Sequence, residues 1–181
     1  MKKTTYIALL RAINVGGRTV KMEKLRELFS ELGLEDVRTY IQTGNVFFTS
    51  EAKDRAQLTA QIEEHLKKSL GYEVPVMLRT VDELEYALSL DPFKDVEITD
   101  EVRLCIAFLS EPLPEDVQFP LVSPKEDMRL LSVTKGEVFL VAYHAPGKAA
   151  NAAAFIEKAF KVKTTTRFWG TTGKILEAAK K

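Results

Sequence analysis

The chain has 181 residues, 45% of them hydrophobic and 29% charged, which is globular composition and excludes disordered, collagenous and disulfide-scaffold classes. With 26 basic residues against 26 acidic ones the net charge is zero, which argues against broad binding of a phosphate backbone through many Lys and Arg contacts. No apolar run approaches the roughly 20 residues of a membrane span, and Arg11 interrupts the first apolar stretch too early for a signal peptide, so a cytoplasmic protein without membrane contact is expected.

Thr4 to Ala12 predicts a strand that is apolar on both faces, with Tyr6, Ala8 and Leu10 opposing Ile7 and Leu9. Asn14-Val15-Gly16-Gly17 breaks it. Met22, Leu25, Leu28, Phe29 and Leu32 then recur at helical spacing as far as Gly33. Val37 to Gln42 and Val46 to Thr49 predict a hairpin around Thr43-Gly44-Asn45. A helix over Ala56 to Leu70 ends at Gly71, and Pro75 to Arg79 predicts the next strand. This β-α-β-β-α-β order is that of the split βαβ, ferredoxin-like motif. In that motif the loop leaving strand one, Asn14 to Arg18, and the hairpin turn Gln42 to Asn45 leave the sheet at the same rim.

Asp82 to Leu90 predicts a helix with Asp82 as N-cap, and residues 91–101 a linker. Val102 to Leu109 predicts a strand, and Pro112 to Val117 a short helix starting with Pro114. Met128 to Val133 and Glu137 to Tyr143 predict strands flanking a Lys135-Gly136 turn. Ala149 to Phe160 predicts a helix, Thr164 to Arg167 a short strand, and Thr171 to Lys180 a closing helix capped by Thr171 or Thr172. The fold class expected is α+β, a tandem duplication of ferredoxin-like two-layer sandwiches with an extra C-terminal helix. The first half is expected over 1–90 and the second over 102–181. Strands apolar on both faces imply that both faces of each sheet are covered, with any pocket along the junction of the halves.

Residues 82–127 carry 13 acidic and 3 basic groups, whereas 146–181 carry 8 basic and 2 acidic ones. That basic stretch suits one anionic ligand, or contact with the acidic middle of the chain. The lone Cys105 sits in an apolar run and reads as a core thiol, while His65 and His144 lack metal-ligand spacing, so no metal site is expected. The most suggestive segment is Arg11-Ala12-Ile13-Asn14-Val15-Gly16-Gly17-Arg18. Its strand-loop-helix setting lets backbone N–H groups converge on an anion, with Arg11 and Arg18 supplying charge. It is neither a P-loop nor a dinucleotide-binding fingerprint. A second polar cluster, Thr165 to Lys174, surrounds the single tryptophan, Trp169. Trp169 reads as a core anchor, and Arg167 and Lys174 as the better binding candidates.

Arg11 to Gly17, Tyr40 to Val46, Val74-Pro75-Val76 with Arg79-Thr80, Pro92-Phe93, and Thr166-Arg167 with Trp169, Thr171 and Lys174 together carry a resemblance. The chain resembles a family of uncharacterised bacterial proteins, a domain of unknown function. The resemblance implies a duplicated ferredoxin-like architecture and brings no established activity or cofactor. The chain departs from the family pattern at Phe168 and Gly170, and in Tyr143 to Ala150, where His144-Ala145-Pro146-Gly147-Lys148 stands in place of a glycine-rich turn.

The function expected is binding of a small phosphate- or carboxylate-bearing ligand by Arg11, Asn14, Gly16, Gly17, Thr43, Gly44, Asn45, Arg167 and Lys174, with the cofactor unknown. Nucleic-acid binding through Phe47 and Phe48 is the alternative, and it requires aromatic rings exposed on central strands. An enzyme of unnamed reaction is a third reading, although no carboxylate pair stands in the glycine-containing segments. A purely structural or interaction role is the fourth, and it predicts no enclosed polar pocket.

Overall fold

In a computed structural model that describes residues 2–143 and 150–181, the chain is a mixed α/β protein. Its described residues form two antiparallel sheets and five helices. The His144 to Lys148 turn singled out above lies outside the described residues. Contacts divide the chain into one unit of Met1–Glu85 with Ile175–Lys181 and another of Tyr86–Lys174. The terminal segment Ile175–Lys181 therefore groups with the first unit, whereas the sequence reading places it with the second half.

The first unit runs β1 (Thr4–Leu10), α1 (Met22–Ser30), β2 (Glu35–Tyr40), β3 (Asn45–Ser50), α2 (Arg55–Leu70) and β4 (Val76–Thr80). Its sheet has the order β2-β3-β1-β4. Alternation along β1 sends Tyr6, Ala8 and Leu10 to one face. There they join Val46, Phe48, Val76 and Leu78, and the helices close over them with Leu25, Leu28 and Phe29 from α1 and Leu58, Ile62 and Leu66 from α2. Side chains of this size contribute about 1.5–3 kcal/mol each on full burial, so this apolar layer is the unit's main source of stability. On the opposite face Ile7, Leu9, Phe47 and Met77 are also buried, as the two-sided apolar pattern of the strands implies.

Helix starts follow their caps. Asp54 accepts the Gln57 N–H at the head of α2. At the head of α3 (Val81–Ser89), Thr80 and Glu83 form a reciprocal capping box. The Glu83 N–H donates to Thr80 Oγ1 at 3.2 Å and the Thr80 N–H donates to a Glu83 carboxylate oxygen at 2.8 Å. The cap is thus Thr80, and Asp82, expected to be the N-cap, lies inside the first turn.

The second unit holds β5 (Val102–Leu109), β6 (Leu121–Val122), β7 (Met128–Val133), β8 (Glu137–Tyr143), α4 (Ala152–Phe160) and β9 (Thr164–Phe168). Its sheet has the order β6-β7-β8-β5-β9. Cys105, Ala107, Leu130, Val138 and Leu140 pack with Ala152 and Ile156 of α4 on one face. The helix expected over Pro112 to Val117 does not form. The segment makes a single turn, closed by the Val117 N–H on the Pro114 carbonyl at 3.4 Å, and does not extend into a helix. The final helix, α5 (Trp169–Ala179), starts before Thr171 and Thr172, so neither caps it. The Thr172 hydroxyl donates back to the Phe168 carbonyl at 2.9 Å.

Candidate loop-and-hairpin site

Two turns of the first unit meet beyond the end of β1. The Leu10 N–H donates to the Gly44 carbonyl at 2.8 Å, which ties β1 to the hairpin turn. The next N–H, of Arg11, donates to the Pro75 carbonyl at 3.0 Å, which ties it to the turn before β4. Asn14 closes the set. Its side-chain amide donates to the Gln42 carbonyl at 2.8 Å, and its carbonyl oxygen accepts the Val20 N–H at 2.6 Å. Asn14, Gly16 and Gly17 thereby share one rim with Thr43 and Gly44.

The loop backbone has an unusual pattern. Positive φ occurs at Ala12, Asn14, Gly16 and Gly17, and Ile13 and Val15 between them are not in that region. The hand alternates from Ala12 to Gly16 and stops alternating at Gly16–Gly17, which are both at positive φ. Among the described residues, no intramolecular hydrogen bond uses the N–H groups of Ala12 to Gly17. Gly16 and Gly17 are exposed, and a Cβ on either would meet nothing within 4 Å. Ile41, in the hairpin turn, is a β-branched residue at φ 50 and is 43% exposed, a strained and solvent-facing position on the same rim.

The helix that follows the loop, α1, starts at Lys21 with no side-chain cap bond, so its first N–H groups keep the partial positive charge of a helix start. Arg11 is half-buried and Arg18 exposed. The Arg18 guanidinium lies 4.3 Å from the centre of the Tyr72 ring.

Other expected site residues have structural duties. Asn45 is fully buried, and its amide donates to the Tyr40 carbonyl and to Thr43 Oγ1, both at 3.0 Å, so it sets the hairpin from inside. Gly44 is a packing glycine, because a Cβ there would come within 2.5 Å of Ile13 Cγ2. Arg167 and Lys174 belong to the second unit. Arg167 is 8% exposed and donates to Thr165 Oγ1 at 2.8 Å and the Thr166 carbonyl at 3.0 Å. Burial pulls its guanidinium down to about 10. Lys174 is exposed. Trp169 makes edge contacts with Phe93 and Phe139, at 5.0 and 6.0 Å between ring centres, an anchoring arrangement. Phe47 and Phe48 are 1% and 0% exposed, so neither presents a ring face for a base to stack on. Among the described residues, no group of three or more His, Cys, Asp and Glu side chains could hold a metal ion, and no helix is long and apolar enough to cross a membrane.

Sequence reading missed Arg26 and Arg38. Arg26 donates to Thr39 Oγ1 at 2.6 Å, and Arg38 donates to the Ala178 carbonyl at 2.9 Å and the Ala179 carbonyl at 3.2 Å. The signal that could have found Arg38 is its charge next to Val37 on a strand, since long cations are seldom buried without partners.

The fold is thus that of a mixed α/β protein with helix-backed antiparallel sheets and a polar, glycine-containing rim. The chain belongs to the family described as a protein of unknown function, DUF1697, whose pattern matches residues 3–139. It is also similar to a solved structure, the conserved bacterial protein SP0830 from Streptococcus pneumoniae. That likeness has 25% sequence identity and a TM-score of 0.68, and it covers 98% of this chain and 99% of that one. No curated protein matches the sequence.

Proposed function

We propose that the protein binds a small phosphate- or carboxylate-bearing ligand at the rim of the first unit, with the loop from Ala12 to Gly17 as its cradle. The observation that carries this reading is the alternating positive φ at Ala12, Asn14 and Gly16, a backbone pattern that can turn neighbouring N–H groups toward one side. The uncapped start of α1 adds a fixed partial charge, and Arg11 and Arg18 supply full ones. Asn14 orients the cradle and does not itself need to touch the ligand.

The test is thermal denaturation against inorganic phosphate, sugar phosphates, nucleotides and small carboxylates, since a ligand of the native state raises the midpoint by mass action. A rise that disappears in Arg18→Ala, with the variant folded, supports the reading. Silence across the panel contradicts it and favours an interaction role.

We read the architecture behind this site as a tandem of ferredoxin-like sandwiches. Support comes from equivalent strand orders, β2-β3-β1-β4 in one unit and β7-β8-β5-β9 in the other. Register supports it too. Arg79 stands opposite Ile7 on β4 as Arg167 stands opposite Ile106 on β9, and both arginines are 8% exposed. The second unit departs from the plan in lacking a helix between β5 and β7. A cytoplasmic setting belongs to the same reading, in keeping with a single cysteine held as a free, buried thiol.

A further inference from the structure

Strand β2 is an edge strand, and it does not pair evenly. Its register against β3 shifts between Glu35 and Arg38, and Asp36 takes φ 49. A bulge of this kind bends the strand and leaves part of its ladder open, and bulges are concentrated beside binding sites. Here the opening is flanked by two wide-open surface clefts, of about 590 and 520 Å³, which share Val37 and Arg38. Both lie within the first unit. The larger falls within the range of about 300–1,000 Å³ typical of small-molecule sites.

We propose that this bulge cleft is a second binding site, distinct from the loop rim, and that it takes a small organic acid with a flat apolar body and a carboxylate. Its wall combines Val37 and Tyr40 with the cations of Arg26, Arg38 and Lys181. The two guanidiniums are held in place before any ligand arrives, Arg26 by Thr39 and Arg38 by the last carbonyls of α5. Arg38 also lies over the Phe47 ring at 5.3 Å. Each guanidinium has five N–H donors in a planar fork, so one or two internal bonds leave donors for a carboxylate, whose geometry the fork matches. Cations fixed in advance cost less ordering on binding than mobile ones.

The charge balance around the two clefts favours an anion. The C-terminal end of α5 contributes about half a negative charge. That half charge, Asp36, the Lys180 partner Glu85 and the main-chain carboxylate of Lys181 oppose four full positive charges on Arg26, Arg38, Lys180 and Lys181, which leaves a narrow positive surplus carried by the two guanidiniums. An apolar wall beside surplus cations selects an amphiphilic acid over a bare inorganic ion, which would leave Val37 and Tyr40 uncovered.

The test is titration of the 15N-labelled full chain with 2-naphthoate, with neutral 2-naphthalenemethanol and inorganic phosphate as separate arms. Saturable shifts at the amides of Val37 to Tyr40 are expected with naphthoate, with at least tenfold weaker binding of the alcohol. Arg26→Gln weakens naphthoate binding about tenfold, and Lys181→Ala does so less. Arg38 is left intact because it caps α5. The proposal is overturned by equal binding of the alcohol, by the absence of saturable shifts at Val37 to Tyr40, or by unchanged affinity in a folded Arg26→Gln. Shifts confined to Ala12 to Gly17 overturn it too, while leaving the rim reading in place.

Discussion

Asn14 reaches across 28 residues of sequence to donate its side-chain amide to the Gln42 carbonyl at 2.8 Å, and so fastens the loop after β1 to the β2–β3 hairpin. The same side chain accepts the Val20 N–H, and its own backbone sits at φ 54, a conformation asparagine tolerates better than most residues. One residue thus ties the loop to both Gln42 and Val20.

Asn14→Ala removes both bonds and places alanine in the left-handed region. The expected loss is about 2–3 kcal/mol of stability, from roughly 1 kcal/mol per bond and 1 for the backbone. Asn14→Gly relieves the backbone term alone and should fall between the two. Urea unfolding of the three proteins checks the order.

Gly44→Ala should cost about 2 kcal/mol or more, because φ is 87 and the new methyl would collide with Ile13 Cγ2, a branched core atom with little room to move. Gly16→Ala, with open space around it, pays only the backbone penalty. The difference between the two unfolding midpoints isolates the collision.

Glu83 gives the stability a dependence on acid. Burial pushes its carboxyl up, but the Thr80 N–H and the Arg55 guanidinium outweigh that and hold it below its ordinary 4.5. A folded value below the unfolded one means that the stabilisation is present above the unfolded value and is lost as pH falls through the folded one. The Arg55–Glu83 pair is about two-fifths exposed, so solvent screens it, and Glu83→Gln should cost about 1 kcal/mol at pH 7. That difference should shrink steadily below pH 4.5, as chemical denaturation at a series of pH values would show.

Cys105 should be inert. Burial pushes its thiol up to about 11, so at pH 8 only about one molecule in a thousand carries the thiolate. Iodoacetamide should modify the native protein negligibly over an hour and the urea-unfolded protein within minutes, as mass spectrometry would record.

Much of this architecture could be read from alternation and spacing. Strands β5, β7 and β8 fall where the apolar pattern puts them, and the Asn14 loop shares its rim with the hairpin because strand order requires it. The pattern could not show that Thr80 and not Asp82 caps α3, since both are good cap residues and a side-chain bond decides between them. Nor could it show that the turn opened by Pro114 stops after one hydrogen bond, from the Val117 N–H to the Pro114 carbonyl. The rim formed by the Asn14 loop and the hairpin turn was legible; the surroundings of Arg26 and Arg38 were not. Arg38 meets its partners Ala178 and Ala179 some 140 residues away, and no local pattern records a contact of that range.

The central claim is that the loop from Ala12 to Gly17 is an anion cradle. The most direct measurement is a titration of the 15N-labelled chain with inorganic phosphate at constant ionic strength, following backbone amides. The account predicts saturable downfield shifts of the N–H groups between Ala12 and Gly17, weakened by Arg18→Ala. Shifts spread evenly over the exposed lysines, or no saturation in the loop, would contradict it.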